Sequence, residues 1–167
     1  QPVTRVQPHL GTFVSITVLA EPQIAQTAIN AAFEEFRAVD RLLSIHRNDS
    51  KLAKANKGEA INLELKWILN QALAISKETK GAFDPTIRPL ADMWGFIKKE
   101  GYRLPSADEL RPVLSRVDYR KVNIKNNQLE FGVKGMSIDS GGFGKGYAVD
   151  RAIEALGKAG IKNAMIK

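Results

Sequence analysis

The sequence predicts an α+β fold in which packed helices cover an antiparallel or mixed sheet in two layers. Three observations lead there. Two long stretches, Pro22 to Leu43 and Leu63 to Lys80, repeat apolar residues at the three- and four-residue spacing of amphipathic helices. Short β-branched runs stand near both ends of the chain, and a further pair flanks Asn126-Asn127 as the arms of a hairpin would. The order strand, helix, helix, hairpin, strand, helix, strand clusters the helices unevenly, unlike the regular alternation of a doubly wound fold.

Phe13 to Leu19, Phe-Val-Ser-Ile-Thr-Val-Leu, is rich in β-branched residues with partial alternation and reads as a strand following Gly11-Thr12. From Pro22, Ala25, Ile29, Ala32, Phe33, Phe36, Val39 and Leu43 form one apolar helical face. Ser44 to Gly58 is polar and basic, and Asn48-Asp49-Ser50 marks a turn that offers a helix cap. Leu65, Ile68, Leu69, Ala72, Leu73 and Ile75 face a second helix, which Gly81 stops. Gly81 to Gly95 has two prolines and no clean period, which predicts a structured loop with at most one short helical turn. Ser106-Ala107-Asp108-Glu109 has the form of a capping box and opens a helix toward Leu114. Lys121 to Ile124 and Gln128 to Val133 are the hairpin arms, and Met136 to Asp139 reads as a further strand. Val149, Ala152, Ile153, Leu156 and Ala159 give the last helix an apolar stripe that Gly160 ends. Ala164-Met165-Ile166 starts a strand that stops at once, so the sequence reads as the front part of something longer.

With 167 residues and 44% apolar content, the chain can bury a core of its own and has the size of one domain, residues 1–167. No stretch approaches the roughly 20 apolar residues that span a bilayer. Gln1-Pro2-Val3-Thr4 reads as a processed or engineered start, which leaves room for a removed leader or lipid anchor. With no cysteine, disulfides and thiolate metal sites are excluded. The 25 basic and 18 acidic side chains leave +7, which favours anionic partners. That charge is dispersed: Lys51, Lys54 and Lys57 form one short cluster, Lys98, Lys99 and Arg103 another, with little aromatic interleaving. A nucleic-acid binder would gather its charge into one stripe or carry a reading module, and no such pattern appears.

The stretch Ile138 to Asp150, Ile-Asp-Ser-Gly-Gly-Phe-Gly-Lys-Gly-Tyr-Ala-Val-Asp, carries the chemistry. Gly141, Gly142, Gly144 and Gly146 free the backbone to take positive φ and to bring its N–H groups close to a ligand. The start of the following helix favours phosphate oxygens, and Lys145 adds a full charge there. Asp139 accepts from a ligand hydroxyl or amine, or helps hold a cation. A polyphosphate cofactor is the first expectation, and a glycine-rich turn that merely packs a helix onto a sheet is the alternative. The Walker loop is excluded because Gly146 rather than Ser or Thr follows Lys145, and the dinucleotide pattern because its third glycine falls on Tyr147. Phe83 and Trp94 read as core aromatics ahead of ligand contacts, Asp84 also as a turn cap and Asn56 as a helix stop. His9 and His46 are too far apart in sequence to suggest a local metal site.

This bend, the Gly-Ala-Phe-Asp-Pro-Thr segment with Pro89-Leu90 and Trp94 behind it, the early Gly11-Thr12, and Ser44 to Asn56 occur in this order and at these separations. Together they resemble the ApbE family, the FAD:protein FMN transferases once called thiamine biosynthesis lipoproteins. The resemblance covers nearly the whole chain and the front half to two-thirds of a family member. It implies a T-fold-related α+β fold with FAD in a cleft between two lobes. It also implies cleavage of FAD at its pyrophosphate and magnesium-dependent transfer of FMN to a Ser or Thr hydroxyl of an acceptor flavoprotein. The place implied is the periplasm, at the inner membrane through a lipid anchor.

Residue by residue, the resemblance makes Asp139 and Lys145 FAD contacts, Ala82, Phe83 and Asp84 the loop lining the cofactor, and Gly142 the metal ligand through its carbonyl. Leu10 stands where the family has Met, and His46 where Tyr is frequent; both are carried over as cofactor contacts. Lys51 replaces a frequent Glu. The family's other metal ligands, in an Ala-Asp-x-x-x-Thr stretch, and its His-Ile-x-x-Pro segment belong to its back part. Weak or no transferase activity is therefore expected of these residues alone. The rival function is a non-catalytic flavin-binding module.

Overall fold

The computed structural model describes residues 1–97 and 101–167, so Lys98 and Lys99 of the second basic cluster lie outside the described residues. Two compact units make up the chain, residues 1–44 with 143–167, and residues 45–142.

In the first unit, β1 (Pro2–His9) and β2 (Thr12–Leu19) form an antiparallel hairpin, and β5 (Ala164–Ile166) pairs antiparallel with the other side of β2. Sequence reasoning missed β1. It is an edge strand with prolines at its first and seventh positions, and it buries none of its residues fully, so it lacks the apolar signature of a central strand. The connection is Leu10-Gly11 alone, both with positive φ (50° and 74°), as a two-residue type I′ turn requires. Val14, Ile16 and Val18 of β2 alternate into the core, and Phe13 faces outward.

Helix α1 (Pro22–Leu43) begins with a proline, which suits the first helical position, and buries the predicted Ala25, Ile29, Ala32, Phe33, Phe36 and Val39. Helix α6 (Gly144–Lys158) packs along it. The stripe predicted for α6 needs correction: Ile153 is 55% exposed and Ala159 is also exposed, while Gly144, Ala148, Ala152 and Leu156 are buried at a spacing of four. The small residues of this ridge, Gly144, Ala148 and Ala152, let the helix axes approach. Arg151 Nη2 lies 2.6 Å from Glu35 Oε2 across the two helices, an ion pair whose buried oxygen meets no aligned N–H donor.

In the second unit, Ser50 caps α2 (Lys51–Ala55) through Oγ, which accepts from Ala53 N at 3.0 Å. Asn62 caps α3 (Leu63–Glu78) by accepting from Leu65 N at 2.9 Å, and Gly81 follows it with φ 85°. Gly81 to Gly95 holds more helix than predicted: a 3₁₀ turn, Pro85–Ile87, runs straight into α4 (Arg88–Met93). Both prolines fall in first turns, where a missing N–H removes no helical bond, so they start helices here and do not break one. The capping box of α5 (Ala107–Leu114) is present, and the Arg103 guanidinium with the Ser106 backbone holds Glu109 down to about 2. After a second 3₁₀ turn (Tyr119–Lys121), β3 (Val122–Lys125) and β4 (Gln128–Phe131) pair through Asn126-Asn127, with φ 49° and 55°.

Met136 to Asp139 is not a strand. Met136 and Ile138 are buried in alternation, which explains the strand-like pattern, but the segment pairs with a side chain and a loop in place of a sheet neighbour.

Candidate functional site: the glycine bend and the loop beside it

Ile138 is followed by Asp139 and Ser140, which lie in the second unit with 8% of each exposed. Asp139 N donates to Pro85 O at 2.7 Å, and Asp139 Oδ1 accepts from Gly141 N at 2.6 Å. The first bond ties the bend to the Gly81–Thr86 loop. The second closes a tight turn of the kind Asp favours. A Cβ at Gly141 would lie 2.8 Å from Asp139 Oδ1, and one at Gly142 would lie 2.8 Å from Phe83 Cε2. These glycines therefore serve close approach. The expected left-handed backbone is not used, since Gly141, Gly142, Gly144 and Gly146 all stand outside the positive-φ set.

Beyond Gly142 the chain enters the first unit at Phe143, and α6 starts without a side-chain cap. Tyr147 N is bonded to Phe143 O at 3.0 Å, so the N–H groups of Gly144, Lys145 and Gly146 precede the first intrahelical bond. Lys145 and Gly146 are exposed, and a Cβ at Gly146 would meet open space. A row of free donors at the positive end of a helix of 15 residues, with a lysine on it, is receptive to phosphate oxygens.

The neighbouring loop is built from its own hydrogen bonds. Phe83 N donates to Thr79 Oγ1 at 3.1 Å. Asp84 Oδ1 accepts from Thr86 N at 2.8 Å and from Thr86 Oγ1 at 2.6 Å, and its Oδ2 accepts from Tyr119 N at 2.9 Å. Thr86 Oγ1 accepts in turn from Asp118 N at 2.9 Å. Both oxygens of Asp84 are thus engaged within the chain, as the turn-cap reading has it. That carboxylate fixes the loop that leaves Ala82 exposed and Phe83 half-buried against Gly142.

Of the residues singled out from sequence, Ala82, Phe83, Asp84, Asp139 and Gly142 come together in the second unit. His46 also belongs to that unit and is exposed in the bend between α1 and α2. Leu10 and Lys145 belong to the first unit, Leu10 in the hairpin turn and Lys145 at the start of α6. Trp94 stacks on Phe96 with centroids 6.1 Å apart, away from full burial. Sequence reasoning missed two residues. Ser140 is buried beside Asp139, and Asn56, read as a helix stop, holds the backbone of Ile138. No local pattern reveals a bond across 82 positions.

The chain as a whole is similar to several known proteins. The curated protein named FAD:protein FMN transferase from Vibrio cholerae is 28% identical over 171 residues, covering 96% of this chain and 50% of that protein. The protein of the same name from Treponema pallidum is 26% identical, covering 98% and 49%. The crystal structure of the ApbE protein of Thermotoga maritima superposes with a TM-score of 0.90 at 29% identity, covering all of this chain and 56% of that one. The flavin transferase ApbE of Vibrio cholerae gives 0.90 at 25% identity, covering 100% and 57%. The chain spans about half the length of the curated relatives it matches. The profile described as the ApbE family matches residues 10–167, and with the α+β fold shared across the whole chain this shows that the chain belongs to the ApbE family.

Proposed function

We propose that this chain is the FAD-binding part of an FAD:protein FMN transferase. The observation that carries the proposal is the start of α6, where the N–H groups of Gly144, Lys145 and Gly146 precede the first intrahelical bond and Lys145 is exposed. A flavin dinucleotide offers its diphosphate to such a helix start. The relatives named for this activity support the same reading.

In the proposed reaction the hydroxyl oxygen of an acceptor Ser or Thr forms a bond to the FMN-side phosphorus. The bond from that phosphorus to the bridging oxygen breaks, AMP leaves with it, and the hydroxyl proton passes to solvent or a base. The free N–H groups of Gly144 to Gly146 and the Lys145 ammonium hold the diphosphate and stabilise charge developing on its oxygens. Asp139, bonded to Gly141 N, keeps the bend in shape.

Magnesium belongs to the same proposal. The donors nearest the bend are oxygens, the Asp139 carboxylate and the Gly142 carbonyl, and their chemistry fits a hard cation. Among the described residues no three His, Cys, Asp or Glu side chains form a metal cluster, so this chain would contribute chiefly the Gly142 carbonyl. When bound, the cation would neutralise charge on the diphosphate. No described helix is long and apolar enough to cross a membrane, and the proposed place, the periplasmic face of the inner membrane, rests on a lipid anchor.

The test is to incubate the intact protein with FAD, magnesium and a Ser/Thr-containing acceptor, and to follow covalent FMN by mass and AMP by chromatography. Both are expected to appear together. FAD binding with no transfer under any condition would leave the flavin-binding module, and no FAD binding would remove the proposal altogether.

A further inference from the structure

Asn56 ends α2, and its side chain reaches across the second unit to the backbone N–H and C=O of one residue, Ile138. Asn56 Nδ2 donates to Ile138 O at 2.9 Å, and Ile138 N donates to Asn56 Oδ1 at 2.8 Å. A side-chain amide carries the same donor and acceptor as a peptide group, so Asn56 pairs with Ile138 as a neighbouring strand would. Only one orientation of the amide satisfies both bonds, which fixes its assignment. Ile138 is fully buried, and its backbone polar groups need such partners.

The consequence lies one residue further on. Asp139 N is bonded to Pro85 O, and Asp139 Oδ1 is bonded to Gly141 N. Asn56, Ile138, Asp139 and Gly141 thus form an unbroken series of bonds from the end of α2 to the bend. We propose that Asn56 is a positioning residue for the Asp139–Gly142 bend, which leads in sequence into the proposed diphosphate site, setting its place through the Ile138 backbone N–H and C=O without touching the ligand. This rests on the FAD reading above and deepens it.

A residue that merely held the unit together would affect every ligand alike, whereas one that positions the bend would affect the diphosphate selectively. The experiment measures FAD and riboflavin affinities of the intact wild-type protein, Asn56→Ala, Asn56→Asp and the control Asn62→Ala, at a temperature where all are folded by circular dichroism. Riboflavin carries the ring system without phosphate. Asn62 makes a cap bond in the same unit, to Leu65 N, and lies outside the series. Asn56→Asp retains an acceptor for Ile138 N and keeps the test alive should the alanine variant fail to fold. Two bonds are lost in the alanine variant, so FAD affinity is expected to fall about tenfold or more. Riboflavin affinity is expected to hold, and Asn62→Ala to leave both unchanged. A parallel loss of FAD and riboflavin affinity, or wild-type FAD binding by both Asn56 variants, would overturn the inference. A wild-type protein that binds riboflavin but not FAD would instead overturn the transferase reading, and this one with it.

Discussion

Gly142 and Gly146 stand four residues apart and use their missing side chains in opposite ways. At Gly142 an added Cβ would lie 2.8 Å from Phe83 Cε2, a separation that real structures do not hold, so the ring or the bend must move. At Gly146, the third residue of α6, an added Cβ would meet nothing within 4 Å. Gly142→Ala is therefore expected to cost about 1–3 kcal/mol through overpacking, and to weaken FAD binding because the bend shifts. Gly146→Ala is expected to stabilise by about 0.5–1 kcal/mol, since alanine restricts the unfolded chain and suits a helix. It should weaken FAD binding all the same, because a methyl group then covers the free N–H donors. Urea unfolding and titration calorimetry separate the two effects; equal affinity in Gly146→Ala and wild type would place the diphosphate elsewhere. The glycines were legible as a candidate site, but the physical reason for them was not. Composition cannot distinguish a glycine needed for left-handed backbone from one needed for close approach.

Elements that bury one face were legible, and those whose partners are irregular were not. Helix α1 followed its apolar period to both ends, whereas β1 escaped notice because an edge strand buries little. Met136 and Ile138 alternate into a core without any strand beside them, so a correct burial pattern gave the wrong element. The last residue of β1, His9, shows how the hairpin is seated on α1. Its ring stacks on Phe33 with centroids 5.3 Å apart, and its Nε2 lies 3.1 Å from Gln7 Oε1, which also accepts from Arg37 Nη1 at 3.2 Å. Burial first, and then the Arg37 charge, push the His9 imidazole below its ordinary 6.5, while Asp40 and Glu34 pull the other way. The neutral ring is thus the form the folded protein prefers. The unfolded chain takes up its proton near 6.5 and the folded chain only at lower pH, so stability is full above 6.5 and falls as the pH drops through the folded value. The urea midpoint of the wild type is expected to decline more steeply from neutral to mildly acidic pH than that of His9→Gln. Parallel pH profiles would remove His9 as the source.

Over the whole molecule, order and separation of motifs were more informative than any motif alone, which is why a match over residues 10–167 accompanies an identity of only 28% to a relative. The part of the candidate site that sequence left hidden is the scaffold behind it, the Asn56 series and the Asp84 to Tyr119 bond, where contacts join distant positions. Net charge acts at this scale too. The excess of +7 attracts a diphosphate from a distance through the summed field, and many of the acidic side chains are already paired locally, as in Arg47 with Asp49 and Arg120 with Asp118. That attraction is screened beyond about 10 Å at 0.1 M salt. In the proposed site the N–H groups at the start of α6 would act at contact and escape most of the screening. Salt should therefore slow the arrival of FAD more than it hastens departure. Stopped-flow measurements between low and high potassium chloride are expected to show association slowing severalfold with dissociation nearly constant. A polynucleotide neutralising six to ten charges would by comparison lose about 10³ or more in affinity over a fourfold rise in salt. Should dissociation carry most of the salt effect, long-range charge and not the bend would be holding the ligand, and the contact role given to Gly144, Lys145 and Gly146 would fall.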